Sequence, residues 1–119
     1  MKNVGLTADF LDRLVSSVTA VLPVSAIYLF GSYARGDQTD ASDLDVYVVT
    51  DSGARDGESS RVAAAAARKA LSWMNPFAEY EGPKEKDVLC ADLARFEELR
   101  AVRGSVEEAV FREGVKIHG

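Results

Sequence analysis

The chain has 119 residues, of which 47% are hydrophobic and 28% are charged, and its formal net charge is −5. This length predicts a single domain over residues 1–119, with enough apolar side chains to bury a core. An acidic chain lacks the basic face that sequence-independent binding of nucleic acid requires, so we do not expect that activity.

The first predicted elements are a helix and two strands. Thr7 can cap the helix, because apolar residues recur at helical spacing over residues 10–22 and Pro23 then ends the segment. Residues 25–30 form a short apolar run with β-branched and aromatic side chains, which predicts a buried strand. The similar run Leu44–Thr50 predicts a second strand.

A helix, a third strand and another helix follow. Residues 58–74 are rich in alanine and contain no glycine or proline, which favours a helix whose apolar stripe includes Val62. Residues 87–91 predict the third strand. Asp92 can then cap a helix over residues 93–101.

The last predicted element is a short helix. Ser105 and Glu108 have the spacing of a capping box at its start, and Gly114 lies where a left-handed residue commonly ends a helix. His118, the only histidine, is expected in a solvated tail. This order of elements indicates an α/β or α+β layer built on a small sheet.

Cysteine usage and hydropathy indicate the compartment. Cys90 is the only cysteine, so no intrachain disulfide is expected, and its apolar neighbours predict a small core residue. Residues 1–10 lack the apolar stretch of a signal peptide, and no segment approaches the roughly 20 apolar residues of a membrane span. We therefore expect a cytoplasmic protein without a membrane partner.

The most informative feature is the turn that ends the first predicted strand. Gly31 allows the backbone to approach a bulky ligand closely, because it has no Cβ atom. Backbone N–H groups in such a turn favour anions such as phosphate, and the Ser32 hydroxyl can add a further donor.

Two carboxylates stand at the start of the second predicted strand. Asp43 and Asp45 point the same way, because side chains alternate between the faces of a strand. Neighbouring carboxylates repel each other, whereas a bound divalent cation removes that repulsion. Mg²⁺ is commonly held by one or two carboxylates together with substrate phosphates, so the turn and the aspartates predict a site for a metal and a triphosphate.

A third carboxylate would complete such a centre. Asp87, at the start of the third predicted strand, is the best candidate, with the task of binding metal and activating an acceptor hydroxyl. Asp92 is the weaker candidate, since a helix cap already explains it.

Other residues near the motif have two interpretations each. Arg35 either contacts phosphate or braces the aspartates or a loop through an ion pair. Tyr33 is expected to be an exposed loop tyrosine, although it could touch the substrates. Tyr47 shares the face of the aspartates and either lines the site or packs in the core. Phe77 and Tyr80 either stack on a base or, as we favour, lie at the surface or pack in the core.

The runs GSYARG (residues 31–36) and SDLD (residues 42–45) together resemble the motif of the polymerase-beta-like nucleotidyltransferase superfamily, in its minimal "MNT" form. The resemblance extends from about Ser25 to the end, where REGV (residues 112–115) is similar to that family's closing stretch. It implies a small mixed β-sheet with helices packed mainly on one face.

This resemblance also implies a division of roles. Gly31 and Ser32 would hold the triphosphate, and Asp43, Asp45 and Asp87 would be the Mg²⁺ ligands and catalytic residues. The implied reaction is attack by an acceptor hydroxyl on the α-phosphorus of a nucleoside triphosphate, with ATP as the donor by family analogy.

Small members of this family resemble the antitoxin half of toxin–antitoxin pairs, which implies a helical HEPN-type partner whose tyrosine receives AMP. Two alternatives stay open. The chain could modify a small hydroxylated acceptor such as an aminoglycoside, with a helical partner as the binding lobe. It could also be a binding module that neutralises a partner without catalysis.

Overall fold

The computed structural model describes residues 5–39, 41–51, 57–80 and 82–119. The helices in this part of the chain are α1 (Ala8–Thr19), α2 (Ser32–Arg35), α3 (Gly57–Ala70), α4 (Leu93–Leu99) and α5 (Val106–Glu113). The strands are β1 (Val24–Phe30), β2 (Leu44–Thr50), β3 (Lys86–Asp92) and β4 (Val115–His118).

The four strands form one mixed sheet in the order β3-β2-β1-β4. Strand β1 is antiparallel to β2 and to β4, whereas β2 and β3 are parallel. A parallel pair needs a crossover connection, and α3 provides it between β2 and β3. The predicted α/β class with a small mixed sheet is confirmed.

The larger core lies between one face of the sheet and the helices α1 and α3. Leu14 and Val18 of α1 and Ala67 of α3 are fully buried there, against Ile27 and Val46 of the sheet. The α1 helix begins where predicted, because the Thr7 side chain accepts a hydrogen bond of 3.0 Å from the Phe10 backbone N–H.

The shorter helices α4 and α5 cover part of the opposite face. Phe96 of α4 and Val110 of α5 pack there with Tyr28, Tyr47 and other residues in a second apolar cluster. Where β2 and β3 begin, Asp87 and Leu89 are exposed on this face and Asp45 is only half-buried, so that end of the face is open.

The third helix is shorter than predicted. It ends at Ala70 rather than at residue 74, because Leu71 and Met74 turn inward and are fully buried. A turn hydrogen bond of 3.0 Å from the Met74 N–H to the Leu71 carbonyl replaces the helical pattern. Val62, assigned to the apolar stripe, is 65% exposed on the solvent side.

Strand β4 was not predicted. Gly114 does not adopt the left-handed conformation expected of it; its φ of −70° and ψ of 162° are extended and lead the chain directly into β4. Glycine is still required, because a Cβ atom would overlap the Val110 carbonyl oxygen and lie 3.1 Å from that of Leu29. His118 lies half-buried in this edge strand, opposite Ile27, and not in a solvated tail.

Among the described residues, no helix has both the length and the apolar character needed to cross a membrane.

Candidate active site

The open end of the sheet face carries a row of three side chains from three adjacent strands. Phe30 of β1 pairs with Asp45 of β2, and Asp45 pairs with Asp87 of β3. Residues that face each other in neighbouring strands project to the same side of the sheet, so the three side chains lie next to one another. The structure therefore brings Asp87 beside Asp45, a juxtaposition that the spacing in the sequence did not establish.

Asp43 lies immediately before β2 and extends this group beyond the end of the strand. It precedes Asp45 by two residues, and its charge acts on the Asp45 carboxyl, as does the charge of Asp87. Asp43 and Asp87 are exposed and Asp45 is half-buried. The predicted set of three aspartates thus shares one end of one face.

The Gly31 turn lies against the central carboxylate. Gly31 has φ 72° and ψ −149°, a conformation that side-chain-bearing residues essentially never adopt. A Cβ atom at this position would overlap the Asp45 Oδ2 atom and lie 3.1 Å from its Cγ atom. Both the backbone conformation and the lack of space for a Cβ atom therefore require glycine at this position. The turn and the Asp45 carboxylate are in direct contact.

The electrostatics of the site centre on Asp45. Burial raises the pKa of its carboxyl, and the negative charges of Asp87 and then Asp43 raise it further, while the positive charge of Arg35 acts in the opposite direction. Among the described residues, none of the three carboxylates has an ion-pair partner or a side-chain hydrogen bond. The arrangement therefore stores unfavourable charge that a bound cation would relieve.

The oxygen donors have the chemistry that Mg²⁺ prefers. The side chains do not converge into a finished cage, since no group of three or more His, Cys, Asp or Glu residues in the described ranges is placed to hold a metal ion alone. Mg²⁺ commonly takes one or two carboxylates and completes its shell with water and substrate phosphates, so this donor set fits a metal that arrives with a nucleotide.

Ser32 and Arg35 flank the turn as the first and last residues of α2. Ser32 is half-buried next to Gly31. Arg35 is exposed and forms an ion pair of 3.2 Å with Asp37, which is the loop contact that one interpretation of Arg35 anticipated. Such an exposed pair contributes about 0–1 kcal/mol, so the guanidinium can exchange it for a phosphate at little cost.

Tyr47 packs in the core and does not line the site. It is 1% exposed, lies between Phe30 and Phe96, and donates a hydrogen bond of 2.6 Å from its hydroxyl to the Glu107 carboxylate of α5. Sequence reasoning missed Glu107, because no local pattern links positions 60 residues apart. It also missed the place of Phe30 next to Asp45, although the position of Phe30 directly before the glycine turn could have indicated it.

The remaining candidates lie outside this site. Tyr33 is buried in the larger core, so its prediction as an exposed residue was wrong. Phe77 is 93% exposed, and Tyr80 packs against other aromatic rings. Asp92 caps α4, accepting a hydrogen bond of 2.7 Å from the Arg95 N–H, and Cys90 packs against the core, where burial raises the pKa of its thiol to about 12.

A known protein family covers nearly the whole chain. The family model for the nucleotidyltransferase domain matches residues 10–117. A search of curated proteins found no match.

Two solved structures share the fold. One, described as a toxin–antitoxin with AMP-PNP, is 24% identical with a TM-score of 0.55, over 92% of this chain and 73% of that one. The other, assigned as a nucleotidyltransferase from Sulfolobus solfataricus, is 19% identical with a TM-score of 0.54, over 90% of this chain and 76% of that one. From the family match over nearly its whole length, the chain belongs to the nucleotidyltransferase domain family.

Proposed function

We propose that the chain transfers a nucleoside monophosphate, AMP from ATP, to a hydroxyl group of a partner protein. The observation that carries this proposal is the contact between the Gly31 turn and Asp45, with Asp87 in register beside it. This contact brings a turn suited to phosphate oxygens and a carboxylate pair suited to a metal to one point on an open face.

Each residue of the site has a role in this proposal. Gly31 and Ser32 hold the triphosphate, and Arg35 leaves Asp37 to contact a phosphate oxygen. Asp43, Asp45 and Asp87 would hold Mg²⁺, which supplies neutralisation of phosphate charge and polarisation of the reacting phosphoryl group.

The reaction is attack of the acceptor oxygen on the α-phosphorus, with cleavage of the bond to the bridging oxygen and release of pyrophosphate. The hydroxyl proton passes to a base at the open edge of the site. Asp87 is exposed on the edge strand β3 and is the carboxylate best placed to accept it. Positioning of the two reactants accounts for much of the expected acceleration.

The acceptor we propose is a tyrosine of a helical HEPN-type protein, which makes the chain an antitoxin. A structural neighbour described as a toxin–antitoxin with AMP-PNP supports this choice, as does an open site face that a large acceptor can reach. A reducing, cytoplasmic setting is consistent with the half-buried, unpaired Cys90 thiol and the lack of any other cysteine in the sequence.

Co-expression with the product of the adjacent gene tests this proposal. Intact-mass analysis should show the partner heavier by one AMP, and peptide mapping should place the modification on a tyrosine. The Asp45→Asn variant should leave the partner unmodified. A partner that is neutralised without added mass would favour a binding module instead, and AMP on an aminoglycoside but on no protein would favour the small-acceptor alternative.

A further inference from the structure

A cleft of about 320 Å³ lies on the same sheet face as the carboxylates, under α4 and α5. Its lining comes from the sheet and both helices and mixes apolar side chains with polar and charged ones. The apolar lining residues that matter here are Tyr28, Leu93, Phe96 and Phe111. Val49 of β2, also in the lining, lies four residues beyond Asp45, which places the cleft about 13 Å from the carboxylate row along the strand.

Two cations lie at this cleft. The Arg100 guanidinium lies 4.1 Å from the centre of the Phe111 ring, and the Lys116 ammonium lies 5.9 Å from that of Tyr28. Within the described ranges, neither cation has a carboxylate at ion-pair distance, although Glu97 also lines the cleft. On a chain of net charge −5, these two cations beside aromatic rings are complementary to an apolar side chain flanked by acidic groups.

Exposed leucines connect the cleft with the carboxylates. Leu89 follows Asp87 by two residues in β3 and faces the same side of the sheet, with 42% of its surface exposed. Leu93, at the start of α4 and on the cleft lining, is 39% exposed. An acceptor that reaches the carboxylates along this face therefore covers both leucines.

We propose that the acceptor protein docks on this surface, defined by Leu89, Leu93, Phe111, Arg100 and Lys116. It inserts an apolar side chain into the cleft, pairs acidic side chains with Arg100 and Lys116, and so presents its hydroxyl at Asp87. The inference rests on the proposed transfer to a protein and names the surface that selects the acceptor.

The apolar part of this surface is tested with Leu93→Asp. An aspartate in the first turn of a helix is electrostatically favourable, so α4 should still form. Transfer of AMP to the co-expressed acceptor, measured as kcat/KM with the purified pair, should fall by roughly tenfold or more, as for an interface anchor. Val62→Asp is the matched control, because Val62 is 65% exposed on α3, at the opposite face, and it should transfer at the wild-type rate.

The charged part is tested with the double variant Arg100→Glu, Lys116→Glu. Wild-type kcat/KM should fall as salt is raised, since the charges steer association, and the double variant should be slow at low salt and nearly independent of it. Arg61→Glu, at an exposed position of α3, should keep the wild-type salt dependence.

Binding of Mg²⁺ and ATP by each variant, measured by calorimetry without the acceptor, separates the two proposals. Lost transfer with retained ATP binding in the surface variants supports the docking surface. Wild-type transfer in Leu93→Asp and in the double variant overturns the surface but leaves the proposed function standing. If the wild-type protein transfers no AMP to any protein, the proposed function fails and the docking surface falls with it.

Discussion

Replacing Gly31 with alanine should damage both the fold and the proposed nucleotide site. The φ of 72° and ψ of −149° at this residue belong to a region that is nearly restricted to glycine, and occupying it costs a residue with a side chain about 1–3 kcal/mol. The added Cβ atom would also overlap Asp45 Oδ2, so the carboxylate must move from its position beside the turn.

The expected loss of stability can be measured as a shift in melting temperature. For a chain of 119 residues, 1 kcal/mol corresponds to about 4 °C, so Gly31→Ala should melt roughly 4–12 °C below the wild-type protein in circular dichroism at 222 nm. At a temperature where the variant is folded, calorimetric titration should show that binding of ATP with Mg²⁺ is lost.

Gly36→Ala is the matched control. Gly36 also has a positive φ, 83°, but a Cβ atom at this residue would meet no other atom within 4 Å. Its replacement should cost about 1–2 kcal/mol of backbone strain and leave nucleotide binding intact. Wild-type binding of ATP and Mg²⁺ by folded Gly31→Ala would refute the idea that the contact between the turn and Asp45 forms the site.

Three further predictions concern stability. The pKa of Asp45 is raised in the folded state, so ionisation of this carboxyl destabilises the fold as pH rises through that pKa. Asp45→Asn should therefore be more stable than the wild-type protein in thermal melts at pH 7, and the difference should shrink as pH falls below the ordinary pKa of 3.8. Tyr47→Phe removes the hydrogen bond to Glu107 and should cost about 2 kcal/mol in urea denaturation. Ser105→Ala removes the cap that accepts the Glu108 N–H and should cost about 1 kcal/mol, whereas an unchanged midpoint would show that α5 does not need it.

The strands β1 and β2 and the helix caps could be predicted from the sequence, because each depends on local chemistry. Leu44–Thr50 was predicted with its observed bounds, since a continuous apolar run between polar segments has few alternatives. The predicted caps Thr7, Asp92 and Ser105 each accept the backbone N–H three residues further on, because capping needs only a side-chain oxygen close to the start of the helix.

Features that depend on distant parts of the chain could not be predicted. Strand β4 exists because the edge of β1 pairs with it, and the early end of α3 follows from burial of Leu71 and Met74 in the core. Tyr33 lies in the motif but points into that core, which no local pattern indicates. Tertiary contacts override local propensity in each of these cases.

The candidate site could be predicted in part, because it depends both on a local motif and on contacts between distant parts of the chain. The Gly31 turn and the aspartates were found from their motif, but their contact depends on the register between β1, β2 and β3. Phe30 stands directly before the turn in the sequence, but its position opposite Asp45 follows only from that register.

The central claim is that the turn and the three aspartates bind a nucleoside triphosphate together with a divalent metal. Its most direct test is calorimetric titration of the chain with ATP in the presence and absence of Mg²⁺, beside the double variant Asp43→Asn, Asp45→Asn. We predict binding that requires Mg²⁺ in the wild-type protein and is lost in the variant. Equal binding of ATP by both proteins, with or without Mg²⁺, would contradict the account.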